Sequence, residues 1–134
     1  MSFRATFFSV LFLLSAPGLA YAETMVCQIK KERSTGGYIP LNPTVVFDPD
    51  AGTAKASYKQ FGKVVSFDGH VNASDPGRFS FVFTGHDIYS NTRQYVARMV
   101  YRATYFKKNG RVKVTAKPLG YANIFRGQGK CLLK

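Results

Sequence analysis

In three segments between residues 78 and 117 apolar and polar side chains alternate with a period of two, the spacing that sends successive side chains to opposite faces of an extended strand. In Arg78-Phe79-Ser80-Phe81-Val82-Phe83-Thr84 the three phenylalanines fall on one face. The pattern continues through 94–107, with Tyr95, Ala97, Met99, Tyr101, Ala103 and Tyr105 on one side and Arg98 and Arg102 on the other. It returns in 110–117, where Val112, Val114 and Ala116 oppose Arg111, Lys113, Thr115 and Lys117. An amphipathic helix needs apolar positions three and four apart, and these segments do not supply them.

Turn chemistry fills the gaps between such runs. Asp48-Pro49-Asp50-Ala51-Gly52 and Asp75-Pro76-Gly77 each separate two strands, and Asn109-Gly110 is the residue pair of a two-residue type I′ hairpin. Ser34-Thr35-Gly36-Gly37 and Pro118-Leu119-Gly120 mark further reversals, and His86-Asp87 reads as part of a loop after Gly85. About eight strands follow, over 24–31, 43–48, 53–59, 62–71, 78–84, 94–107, 110–117 and 121–133, the last interrupted near Gly127-Gln128-Gly129. Even spacing and hairpin connections predict an all-β fold, a small antiparallel meander barrel, with a β-sandwich as second choice.

Residues 1–22 have the build of a secretory signal peptide. Arg4 is the positive start, Phe7 to Leu14 an apolar run, Pro17-Gly18 a helix stop, and Ala20-Tyr21-Ala22 places small residues where a signal peptidase reads. The run is too short for a membrane anchor, which takes roughly 20 apolar residues. Cleavage after Ala22 leaves 23–134 as a single all-β domain, with periplasmic or secreted localisation. An oxidising compartment lets Cys27 and Cys131 form a disulfide. Lying near the two ends of the domain, they would tie the first strand to the last.

Composition adds a strong charge. The chain has 19 Lys+Arg against 7 Asp+Glu, a formal net charge of +12, of which the leader holds only Arg4. All seven acids lie in residues 23–87, which also contain seven bases; Ile88 to Lys134 holds eleven bases and no acid. Hydrophobic content of 46% argues against a disordered basic tail. If successive strands are neighbours, Arg98, Arg102, Arg111 and Lys113 project from one face of the 94–117 hairpin as an anion-binding wall. An anionic envelope polymer or an acidic protein suits that wall. Specific nucleic-acid binding does not, because the tyrosines that would stack on bases lie on the face opposite Arg98 and Arg102.

Catalytic chemistry is sparse. His70 and His86 are the two histidines; Asp68-x-His70 shares a strand face, but no nucleophile elbow, metal-ligand spacing or phosphate loop accompanies it. The expectation is a non-enzymatic, monomeric protein with no metal and no cofactor. A different class of function stays open, a carrier holding a small apolar ligand among the rings inside the barrel.

The stretch from Arg111 to Cys131, with Pro118-Leu119-Gly120-Tyr121-Ala122-Asn123 and Gly129-Lys130-Cys131, resembles the ending of a group of small secreted alphaproteobacterial proteins. These pair an early Cys with a late Gly-x-Cys and carry a Pro-x-Gly-Tyr-x-Asn turn. The resemblance implies bacterial source, export and the disulfide, and it brings no activity with it. Ala122 departs from the acidic residue that tends to follow Gly-Tyr in the group. A looser likeness is to periplasmic lysozyme-inhibitor barrels, which also bridge their first and last strands. Their target is strongly cationic and would repel this chain; the sequence also has no Trp and no recognisable inhibitory loop.

Overall fold

The computed structural model describes residues 22–134, so the expected leader, apart from Ala22, lies outside the described residues. Eight strands run in chain order: β1 (Glu23–Ile29), β2 (Thr44–Asp48), β3 (Thr53–Gln60), β4 (Lys63–Asn72), β5 (Arg78–Tyr89), β6 (Tyr95–Phe106), β7 (Arg111–Pro118) and β8 (Phe125–Leu133). Each pairs antiparallel with the next, and β8 pairs back onto β1, so the sheet is a closed meander barrel rather than a sandwich. Among the described residues, closure leaves no edge strand exposed to pair with another chain.

The seam between β1 and β8 is covalent. Cys27 and Cys131 are directly opposite in the ladder, with Cα atoms 4.0 Å apart, and form a buried disulfide across a sequence separation of 104. Loop closure of that length is worth about 4–5 kcal/mol in the chain-entropy account. Beside it β8 presents Gly127 and Gly129 at inward positions. A Cβ on Gly129 would collide with the Gln28 carbonyl oxygen, and one on Gly127 would press on Ile29 and Ile39. The two glycines therefore do not interrupt β8, as the sequence pattern had implied; they let β1 approach closely while the strand runs on.

Inward side chains fill the barrel with rings. Phe47 meets Phe79 and Phe81 edge-on, with centroids 5.0 and 5.1 Å away, and Phe67 stacks on Tyr101 at 5.7 Å. The long connection over residues 30–43 folds across one mouth. Its 3-10 turn, Arg33–Thr35, is followed by Gly36 and Gly37, both with positive φ. Tyr38 and Ile39 then drop into the core, where the Tyr101 hydroxyl donates to the Tyr38 carbonyl at 3.0 Å. An apolar void of about 60 Å³ lies among the inward side chains of Met25, Phe81 and Tyr101.

Local chemistry explains most turns and corrects several expectations. The Asp48 carboxylate accepts the Asp50 and Ala51 amides, and Asp75 accepts the Gly77 amide, so both Asp-Pro segments are side-chain-bonded turns. Asn109-Gly110 does not form a two-residue hairpin. Phe106 accepts the Gly110 amide across a four-residue loop in which Gly110 alone is left-handed. A two-residue turn would have set Lys108 opposite Arg111, cation against cation. The tight positive-φ turn lies instead at Phe61-Gly62, between the paired Gln60 and Lys63.

β5 runs further than its alternation predicts, and both β5 and β6 change face along their length. Neither Gly85 nor His86-Asp87 ends β5, which continues to Tyr89. Asp87 takes a positive φ of 54°, and the buried parity changes there from Phe79, Phe81 and Phe83 to Ile88. On β6 it changes in step, from Val96 to Met99 and Tyr101. Tyr95 and Ala97, expected inside with Tyr101, are consequently on the outer surface.

Two outcomes follow from this packing. Gly129→Ala should lower stability by roughly 2 kcal/mol or more, because backbone blocks the new methyl, whereas Gly77→Ala, which meets nothing closer than 3.4 Å, should be near neutral; urea unfolding measures both. Burial pushes the Tyr58 phenol up to about 12 and the Tyr101 phenol higher still, against about 10 in an unfolded chain. Their protonated forms then favour the fold fully below about pH 10, and stability should decline as pH rises above it. Tyr101→Phe should show a shallower alkaline decline in urea midpoints measured from pH 8 to 11.

Candidate functional site

The outer surface of β7, β8 and β1 carries a patterned set of polar side chains. Because Cys27 pairs with Cys131, Gln28 falls opposite Lys130, and Lys130 falls opposite Arg111 on the other side. One row across the three strands is thus Arg111, Lys130, Gln28. The next row is Lys113 opposite Gln128, and Gln128 in turn accepts the Lys30 amide at 2.9 Å just past the end of β1. Strands sit roughly 4.8 Å apart and alternate residues roughly 6.6 Å along a strand, so four cations and two amides occupy a patch of about 10 by 7 Å.

All six side chains are exposed and border one open groove of about 640 Å³. Its floor is formed at Ile29, Val112 and Gly129, where β8 pairs with β1 on one side and β7 on the other; Asn109 and Phe106 bound it at the hairpin end. The Asn109 side-chain oxygen accepts the Arg111 amide at 3.0 Å and orders the turn that starts β7. Lys113 Nζ lies 6.0 Å from the Phe106 ring centroid. No acid borders the groove. Among the described residues the one ion pair is Arg78–Asp75, away from it. Arg111 and Lys130 therefore face each other across a ladder rung as like charges, an arrangement that destabilises a sheet by a few tenths of a kcal/mol up to about 1.

The four cations singled out from the sequence are all exposed on the outer face, but they do not form one cluster. Arg111 and Lys113 belong to the groove. Arg102 adjoins it: it is opposite Thr115, which is opposite Arg126, forming a third row beside Lys113. Arg98 is further along β6, where its carbonyl accepts the Leu119 amide at 3.0 Å, and lies outside the groove. Lys30, Lys130 and the amides escaped the sequence reading because they come from the strands that close the barrel. The two cysteines carried the necessary signal, since aligning them in an antiparallel ladder puts Gln28 against Lys130.

Asp68 and His70 point outward from β4, with Asp68 opposite Lys55. They share a shallow depression with His86 where β4 and β5 part beyond the Gly69–Phe83 pair. Among the described residues no group of three or more His, Cys, Asp or Glu is placed to hold a metal ion, and no helix is long and apolar enough to cross a membrane. No protein-family model, curated protein or solved structure matches the chain.

The facing cations make a stability test. Lys130→Glu places a carboxylate opposite Arg111 and should raise stability by about 0.3–1 kcal/mol, a gain that shrinks in 0.5 M salt. Chemical unfolding at low and high salt reads both changes.

Proposed function

We propose that this is a non-enzymatic binding protein of the bacterial envelope that holds an anionic polymer in the groove between β7, β8 and β1. The observation that carries the reading is the two-row array of Arg111, Lys130, Lys113 and Lys30 with Gln28 and Gln128, set on one concave surface with no acid along it. Its guanidinium can take two oxygens of a phosphate or carboxylate at once, its three ammonium groups act as point charges, and its amides supply further donors. The export signal read over residues 1–22 and the disulfide between Cys27 and Cys131 both support an oxidising compartment such as the periplasm.

The carrier alternative finds less support inside the barrel. Pockets for small ligands usually enclose roughly 300–1,000 Å³, and the apolar void here is about 60 Å³. A lysozyme-inhibitor role is opposed by the net charge of +12, which a cationic target repels.

Salt elution from immobilised polyphosphate tests the polymer-binding reading. The variant carrying Lys30→Gln, Arg111→Gln, Lys113→Gln and Lys130→Gln should leave the matrix at much lower salt than the wild type, and its affinity at low salt should fall on the order of tenfold or more. Arg98→Gln, a single charge outside the groove, should elute close to the wild type. Co-elution of the fourfold variant with the wild type would sink the proposal.

A further inference from the structure

The barrel end that bears the 30–43, 61–62 and 90–94 connections has a second, different surface. Phe61 and Gly62 turn β3 into β4 with φ values of 51° and 77°. Such a turn favours Asn, Asp or Gly at its first position, and a bulky side chain in left-handed backbone carries strain. The Phe61 ring is 47% exposed, so core packing does not offset that strain. Val64, on the same hairpin, is 67% exposed, and Leu41 lies across a groove from both.

Basic groups are interleaved with these apolar tips. The Arg93 guanidinium sits 4.2 Å from the Phe61 ring centroid, on a residue that itself has a φ of 66°. It is held there by the 90–94 turn, in which Ser90 Oγ accepts the Thr92 and Gln94 amides and the Ser90 carbonyl accepts the Arg93 amide. Lys59 and Lys63 flank the hairpin tip and are exposed. Gln60 donates to the Tyr89 carbonyl and joins this hairpin to the end of β5, and Tyr89 packs on Tyr95 of β6 at 5.4 Å on the outside. Of the acids at this end, Asp87 accepts the Tyr95 hydroxyl at 2.7 Å and Glu32 accepts the Ser34 hydroxyl at 3.4 Å, and the bases outnumber them. The three non-glycine residues with positive φ among the described residues, Phe61, Asp87 and Arg93, all gather here.

We propose that this end of the barrel docks on the surface of an anionic lipid bilayer. Phe61, Val64 and Leu41 enter the boundary between headgroups and acyl chains, Arg93, Lys59 and Lys63 meet lipid phosphates, and the tyrosine pair sits at headgroup depth. The charge decides against a second copy of the chain, since a molecule of net charge +12 repels itself. An acidic protein would satisfy the cations but gives no use for a strained ring on a projecting turn. An apolar layer beneath a negatively charged surface uses both. The proposal stands apart from the groove on β7, β8 and β1, with which it shares no residue.

The chain has no tryptophan, so Phe61→Trp installs a single reporter. Its emission should shift to shorter wavelength on vesicles of phosphatidylglycerol mixed with phosphatidylcholine, and be quenched by brominated acyl chains, with neither effect on phosphatidylcholine alone. Phe61→Asn suits the turn, so its melting temperature should equal or exceed that of the wild type, while co-sedimentation with anionic vesicles should drop by at least about fivefold. Val64→Thr should weaken co-sedimentation in the same direction. The fourfold groove variant, carried on the Phe61→Trp background, should keep the acyl-chain quenching, which separates failure of one reading from failure of the other. Unchanged emission on saturating anionic vesicles, wild-type co-sedimentation by Phe61→Asn, or an equal blue shift with soluble polyphosphate would overturn the proposal.

Discussion

The contact between β1 and β8 sets the rest of the molecule. A meander of strands becomes a barrel only if its first and last members meet in register, and here Cys27 opposite Cys131 pins that register covalently. The approach is tight because Gly129 leaves room for the Gln28 carbonyl and Gly127 leaves room for Ile29 and Ile39. With the seam fixed, the outward residues of three strands line up, and the 30–43 connection can lay Tyr38 and Ile39 over the core. Packing inside and charge pattern outside thus share one origin.

That charge pattern works against the fold that displays it. Four cations on neighbouring strands gain nothing from one another, and none has a carboxylate beside it in the groove. The apolar core can carry this cost. A sequence optimised for stability alone would place an acid opposite Arg111, as the 75–78 turn does elsewhere in the barrel when Asp75 bonds Arg78. Phe61 is a parallel case, since a turn that prefers Asn or Gly holds a phenylalanine. In both places local preference gives way at the surface, the kind of departure that the proposed binding sites would account for.

Much of the architecture was legible because period-two alternation is a direct projection of a half-buried strand. Phe79, Phe81 and Phe83 read correctly as one face, and the Asp-Pro turns read correctly as breaks. The misreadings have a common cause: they sit where long-range contacts override local pattern. Tyr95 continued the alternation of Tyr101 on paper, but the paired change of face at Asp87 and Ala97 turns it outward. Glycines at 127 and 129 looked like a break until a neighbouring strand needed their space. Half of the groove was visible in Arg111 and Lys113; Lys30 and Lys130 join it only through closure, from opposite ends of the domain's sequence.

The disulfide also governs how the domain bears load. A pull applied to the chain outside Cys27 and Cys131 passes through one covalent bond and bypasses the 104-residue separation between them. The ladders of β2 to β7 stay out of the force path, and only the short stretches flanking the cysteines can be drawn out. Oxidised, the barrel is mechanically a bead on a string, with its two tethers leaving from adjacent strands. Reduced, the same pull would act across the β1–β8 seam and open the barrel along its line of closure.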